Sequence, residues 1–428
     1  MTPTNFTNTP TLLLGNYDTG KLPNKENYLK KAHSTFSNDL RKKHQFKDER
    51  FEVWRDFVEV EGQHVQNLQT FLYEAGFMPH FTPDGIFGYE TLAGVRLFQE
   101  YMRTIKSKGG KPDGIPGHGT FSMITEWQNQ NYGVCEWADA TPSDEYNQWI
   151  DLLNKRKSHF ENNPNAILSS SESYDPVSDT RKITDWDTST STIHLIGVRR
   201  NQAKDYAASD RDNDFFTLLI NGKVFHFFGS TVPNPKHVNA YVIGSDPKIK
   251  NYPFLLEGQH CYRLGWHQRS KMDKTYKAWR PAGHGVIVYR QAANFSGSKV
   301  IEDTQILKNG LDHQPNATIN LHWSGRGTSS FSGGCQVIGG ASYINNRGEL
   351  INDSTFAALN ASDLSKTSHH TKAAYDMLID LFTSYSPSSF GTIAYSLLRE
   401  EELYELEDWP RGHIAELEKK MKTVFNPS

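Results

Sequence analysis

Between residues 51 and 130 apolar positions recur at helical spacing. Val65, Leu68, Leu72 and Ala75 fall on one face, and Gly76 stands where a helix would end. FTPDGIFGYET follows, a turn marked by Asp84 and Gly85 that leads into a second helix with Thr91, Val95, Phe98 and Met102 on one side. A loop rich in Lys and Gly then precedes KPDGIPGHGT, and a third helix starts at Phe121 and Ile124. Two DGI turns, each ahead of a helix, form a weak internal repeat. The pattern predicts a small three-helix module over residues 51–130.

The period changes further on. One amphipathic helix is expected around Tyr146 to Phe160, followed by NNPNAILSSSESYDPVSDTRK and DWDTSTST. Their Ser, Thr, Asp and Pro content is that of a linker, so residues 131–190 read as a helix plus a polar connection. From 191 to 403 the chain reads as strands. FFTLLINGKVFHFF is two β runs joined by Asn221-Gly222, the strongest short hairpin signal present. IHLIGVR, PFLLEG, HCYRLGW, HGVIVYR, ATINLHW, CQVIGG and TIAYSLLR are further strand candidates, and TKAAYDMLIDLF reads as an amphipathic helix. Residues 404–428 are charged and predict a surface helix. Residues 1–50 form a polar extension with a patch at Lys30, Lys31, Lys42 and Lys43, a candidate delivery handle. The expected fold class is multidomain α+β, a helical module followed by a mainly β catalytic body.

Composition narrows the function classes. A net charge of -3 over 428 residues gives no basic excess for nucleic acid or anionic membrane. Three cysteines are too few for a secreted disulfide scaffold, and the odd count leaves a free thiol. The first residues lack the basic start and the apolar run of a secretory signal, and no stretch approaches a membrane span. The expectation is a chain made in the cytoplasm and carried to any extracytoplasmic substrate by non-classical export, injection or lysis.

The candidate chemistry lies in INLHWSGRGTSSFSGGCQVIGG. His322 ends a strand, a Gly- and Ser-rich loop follows, and Cys335 enters the next strand thirteen positions later. A thiol attacks as thiolate, and a neighbouring histidine activates it by taking the proton. Gly333 and Gly334 leave backbone N–H groups for an oxyanion. Arg326, in the same loop, is a candidate fork for a substrate carboxylate. HCYRLGWHQR gathers His260, Tyr262, Trp266 and His267, of which Tyr262 and His267 are candidate substrate-wall residues. Cys135 and Cys261 read as small buried hydrophobes. The His-x-His and acidic spacing of a catalytic zinc site is missing, so no metal or other cofactor is expected.

Two resemblances bear on these residues. VQNLQTFLYEAGF, DGIFGYETLAGVRLFQ and PDGIPGHGT resemble the peptidoglycan-binding domain family over about 65 residues. On this chain its signature falls on Asp84, Gly85, Gly88, Thr91, Phe98 and Gln99. Physically, Asp84 and Gly85 make a tight turn, Gly88 permits close backbone approach, and Thr91 and Phe98 lock the next helix. The His…Ser-x-Gly-Cys stretch resembles the L,D-transpeptidase (YkuD) family. That resemblance implies His322 as base, Cys335 as nucleophile and Ser332 as its serine. It also implies Gly334 as the preceding glycine, and Trp323 as the residue whose carbonyl orients the imidazole. The family's second histidine is replaced by Gly333, and the polar residue two after the cysteine by Val337. These departures describe a divergent branch.

Together the resemblances imply acyl transfer on peptidoglycan stem peptides, to an amine or to water, by a phage-type lysin or an antibacterial effector. An effector implies a secretion-machine partner and an immunity protein. A wall-binding protein with a retired site is the alternative. A papain-like enzyme ranks last, because there the cysteine precedes the histidine and opens a helix.

Overall fold

Asn221 and Gly222 both take positive φ, 48° and 72°, the conformation a two-residue hairpin turn demands. They join strand β4 (Asp214–Ile220) to β5 (Lys223–Ser230) in antiparallel register from Asp214↔Gly229 to Ile220↔Lys223. The hairpin is one part of a larger sheet. The computed structural model describes residues 5–21, 57–106, 110–200, 214–233, 253–267, 276–290, 311–327, 332–360, 363–364, 371–388 and 391–425. The Lys30, Lys31, Lys42 and Lys43 patch lies outside them.

The sheet also contains β3 (His194–Arg199), β7 (Gly258–His267), β8 (Tyr276–Pro281), β10 (Leu321–Trp323), β11 (Gln336–Ile344), β12 (Leu350–Asn352) and β13 (Thr392–Arg399). Among the described residues two short pairs lie outside it, β1 (Asn16–Asp18) with β2 (Val58–Val60) and β6 (Pro253–Leu255) with β9 (Val288–Arg290). The large sheet's order is β10-β8-β7-β13-β3-β4-β5-β11-β12, and β10 pairs again with β11. That extra pairing closes eight strands into a barrel-like ring. The first half of β11 pairs with β10 and its second half with β12, with a register shift between Ile338 and Tyr343 along β5. Both faces of β4 and β5 are buried. One face, with Ile196, Val198, Phe215, Leu219, Val224 and Phe228, packs with helix α4 (Asp144–Asn162) and helix α8 (Trp409–Phe425) in one apolar cluster. The other carries Phe216 stacked on Tyr395 and Phe227 stacked on Tyr343.

The remaining helices are α1 (His64–Glu74), α2 (Tyr89–Lys106), α3 (His118–Asn129), the short α5 (Ala166–Glu172), α6 (Ala374–Tyr385) and α7 (Glu400–Tyr404). The chain separates into two compact units, one of residues 1–141, 264–277 and 358–391, the other of 142–263, 278–357 and 392–428. These units do not run along the linear boundaries expected from sequence. Helix α6, assigned to the catalytic body by position, belongs to the unit of the three-helix module. All twelve of its residues are buried, and Arg96 on α2 grips Asp380 with two 2.7 Å bonds.

The expected linker is also ordered. Asp179 Oδ2 accepts backbone N–H groups from Gly283, His284 and Gly285 at 3.0, 2.8 and 2.7 Å, stitching residues 174–190 to the barrel. The C-terminal helix is no mere surface tail, because Ile414, Leu417 and Met421 enter the barrel's outer core. The expected α+β class with an early helical module and a later barrel-like sheet is what the structure has. Among the described residues no helix is long and apolar enough to cross a membrane.

Candidate active site and wall-binding module

Strands β10 and β11 run parallel, with Leu321 opposite Gln336 and His322 opposite Val337. Side chains alternate across a strand, so the next pair back, Asn320 and Cys335, faces the same side as His322. The imidazole and the thiol therefore share one face of the β10–β11 pair. Leu321 and Gln336 face the other way, where Gln336 Oε1 accepts a bond from Tyr395 at 3.1 Å.

His322 Nδ1 lies 2.8 Å from the carbonyl oxygen of Trp323. A carbonyl only accepts, so Nδ1 carries the proton and Nε2 is the basic nitrogen. Burial drives the imidazole pKa down to about 4, opposed by that hydrogen bond. At neutral pH the ring is an uncharged base. Cys335 Sγ accepts the Asn320 N–H at 3.3 Å and donates to the Thr318 carbonyl at 3.4 Å. The thiol keeps partial exposure, yet the surrounding protein mass raises its pKa, against the Asn320 and Ser332 hydrogen bonds and the positive charge of Arg280. Resting thiol and imidazole are thus both neutral.

Ser332 is buried, and its hydroxyl accepts the Gly334 N–H at 3.1 Å. That N–H is engaged here, where the sequence reading left it for an oxyanion. Gly333 is exposed. Gly334 has φ of +142°, and a Cβ there would sit 2.6 Å from the Pro253 carbonyl oxygen. Arg326 Nε donates to the Ala357 carbonyl at 2.7 Å, so one edge of the expected carboxylate fork is occupied. Tyr262 is fully buried against Tyr395, its hydroxyl without a hydrogen bond, in the barrel interior and not on a solvent-facing wall. His267 packs against Tyr276, ring centroids 5.3 Å apart, and belongs to the other compact unit. Asn320, Thr318 and Arg280 were missed from sequence. The first two follow from pairing Cys335 with the residues before His322, while Arg280 sits on a strand whose Lys and Arg disguised it.

The module's signature residues hold its turns together. Gln69 on α1 donates to Asp84 Oδ1, the Ile86 carbonyl and Thr91 Oγ1 at 2.8, 3.0 and 2.9 Å. Its Oε1 accepts the N–H groups of Asp84 and Gly85 at 2.9 and 2.8 Å. Gln99 repeats the device on the second turn, reaching Asp113, Ile115 and Thr120 and accepting the Gly114 N–H at 2.8 Å. The weak DGI repeat is therefore a repeated glutamine lock. Gly85, Gly88, Thr91, Phe98 and Gln99 are all buried, Asp84 alone being exposed. They build the module and do not form its outer surface. Phe98 sits among Phe71, Phe77 and Trp127 in edge-to-face contacts.

Comparison with known proteins bears on this module. No curated protein matches the chain, and no solved structure matches it. Residues 61–124, which hold both glutamine locks, match the family model of the peptidoglycan-binding domain, and a domain of this kind points to association with the cell wall.

Proposed function

We propose that the chain is a peptidoglycan-active cysteine enzyme of the L,D-transpeptidase or L,D-carboxypeptidase type, with Cys335 as nucleophile and His322 as base. The observation that carries this reading is the shared face of His322 and Cys335, with Nδ1–H of the imidazole donated to the Trp323 carbonyl, a tautomer that puts the basic lone pair on Nε2. In the proposed cycle Sγ passes its proton to His322 Nε2 and bonds to the carbonyl carbon of a stem-peptide bond. The tetrahedral oxyanion collapses, the C–N bond breaks, and the leaving amine takes the proton from His322. The thioester then passes its acyl group to an amine or to water. The peptidoglycan-binding domain supports the substrate class, and wall chemistry requires delivery beyond the cytoplasm. An injected effector would be matched by an immunity protein.

The raised thiol and depressed imidazole favour a second reading, a wall-binding protein whose site no longer forms the ion pair. Mass spectrometry of muropeptides incubated with wild type, Cys335→Ala and His322→Ala separates the two. Loss of terminal D-Ala, new cross-links or amino-acid exchange, abolished in both variants, is the expected result. Unchanged muropeptides from folded protein that still pulls down wall would retire the enzymatic reading. If His322 is the base, the acid limb of kcat/KM falls near its pKa of about 4 and not near 6.5. Activity then persists at pH 5.5.

A further inference from the structure

On the outer face of the barrel unit, away from the β10–β11 pair in sequence, one carboxylate and two imidazoles converge. Glu145 lies in the first turn of α4, His226 on β5 and His413 on α8. Glu145 Oε1 is 2.7 Å from His226 Nε2 and 3.2 Å from His413 Nε2, and the three candidate ligand atoms lie within 4.8 Å of one another. The two imidazole rings stand 5.0 Å apart. We propose that Glu145, His226 and His413 bind a divalent transition-metal ion of the zinc class, which pins α4 and α8 to strand β5.

Four observations support it. Tetrahedral zinc with ligands at about 2.0–2.1 Å sets neighbouring ligand atoms about 3.3 Å apart, so the present spacings need only small side-chain shifts. His413 Nε2 is a buried nitrogen that makes no hydrogen bond of acceptable geometry, although Glu145 is near. An ion would satisfy it. His226 Nδ1 lies 3.0 Å from Thr217 Oγ1, directly across the β4–β5 ladder. A hydroxyl can accept Nδ1–H and so present the Nε2 lone pair to a metal, the usual outer partner of a ligating histidine. Finally, Glu145 and His413 keep 30% and 23% of their side-chain exposure, leaving an open side for a water ligand. Imidazole and carboxylate together suit zinc and its neighbours better than calcium or magnesium.

The competing view makes Glu145 a simple counter-ion for two histidines. The full chain, stripped with chelator and dialysed, distinguishes them. Titration calorimetry with Zn2+ is expected to show one strong site per chain. Co2+ should quench tryptophan emission, because Trp149 lies 6.3 Å from the His226 ring and 5.2 Å from Trp409. Glu145→Gln keeps a hydrogen-bonding partner and is the variant least prone to unfold. It and His413→Ala should each weaken Zn2+ binding by at least about 100-fold, and Thr217→Val by about 10-fold. Absence of a strong site in the wild-type protein overturns the proposal. So does strong binding and quenching undiminished in Glu145→Gln and His413→Ala, which would locate the ion elsewhere.

Discussion

Gly334 carries the tightest constraint beside the candidate nucleophile. Its φ of +142° lies where side chains are strained, and a Cβ would meet Pro253 O at 2.6 Å and Pro253 Cγ at 2.8 Å. Backbone cannot swing aside as a flexible side chain can. Gly334→Ala therefore displaces Cys335 or Pro253, with an expected loss of about 2–4 kcal/mol in stability and of most thiol-dependent turnover. Urea denaturation and labelling of Cys335 by a thiol reagent report the two effects; unchanged midpoints would show that the loop yields freely. The glycine was legible in sequence as a neighbour of the cysteine. Its reason was not, because Pro253 is 81 positions away. The same blindness hid Glu145, His226 and His413, whose ligand atoms come from positions 81 and 187 residues apart. Spacing motifs find ligands on one element, and here three elements each supply one.

At the scale of elements, periodicity served well where one face was buried and failed where chemistry disguised burial. The three module helices and the Asn221-Gly222 hairpin stand as expected. Strand β8 was missed because Lys277 and Arg280 read as polar breaks, whereas Lys277 is 1% exposed with its ammonium over the Tyr89 ring. The Ser- and Asp-rich stretch before the barrel read as a linker, since composition cannot show that Asp179 collects three backbone N–H groups. The two glutamine locks were invisible for a related reason: Gln69 and Gln99 sit on helices and act on turns about fifteen residues onward. Gln69→Leu preserves the volume while leaving the Asp84 and Gly85 amides without their acceptor, at an expected cost of about 2–4 kcal/mol. Gln99→Leu breaks longer bonds, 3.3, 3.4 and 3.0 Å on its donor side, and should cost less. Denaturation followed by Trp127 emission measures both, and the reverse order would show that the first turn is not the module's principal lock. Wall pull-down at a temperature where both variants are folded should remain, because these residues face inward.

For the barrel unit as a whole, two buried groups pull its stability in opposite directions as pH changes. His260 is fully buried, with Nε2 bonded to the Leu256 carbonyl and Nδ1 to Thr180 Oγ1, both at 2.9 Å. Burial lowers its pKa to about 4. Between pH 6.5 and 4 the unfolded chain takes a proton that the native ring refuses, so stability is intact above 6.5 and lost as pH falls, by up to about 3 kcal/mol. Glu402 behaves oppositely. Burial raises its carboxyl to about 7, against the attraction of Arg156, whose guanidinium is 3.8 Å away. Between 4.5 and 7 the unfolded chain releases a proton that the native carboxyl holds, so stability falls as pH rises, again by up to about 3 kcal/mol. The windows overlap, so Glu402 offsets the His260 slope between pH 4.5 and 6.5, while the depressed imidazole of His322 in the same unit adds a second slope of the His260 sign. His260→Gln removes one slope and should lower the stability at pH 7 relative to pH 5, compared with the wild type. Glu402→Gln removes the opposing slope and should steepen the rise of stability from pH 5 to pH 7. Urea midpoints of the wild type and both variants across that range test the pair. Parallel profiles in all three proteins would mean that neither group titrates differently in the native and unfolded chains, and that the barrel's pH dependence has another origin.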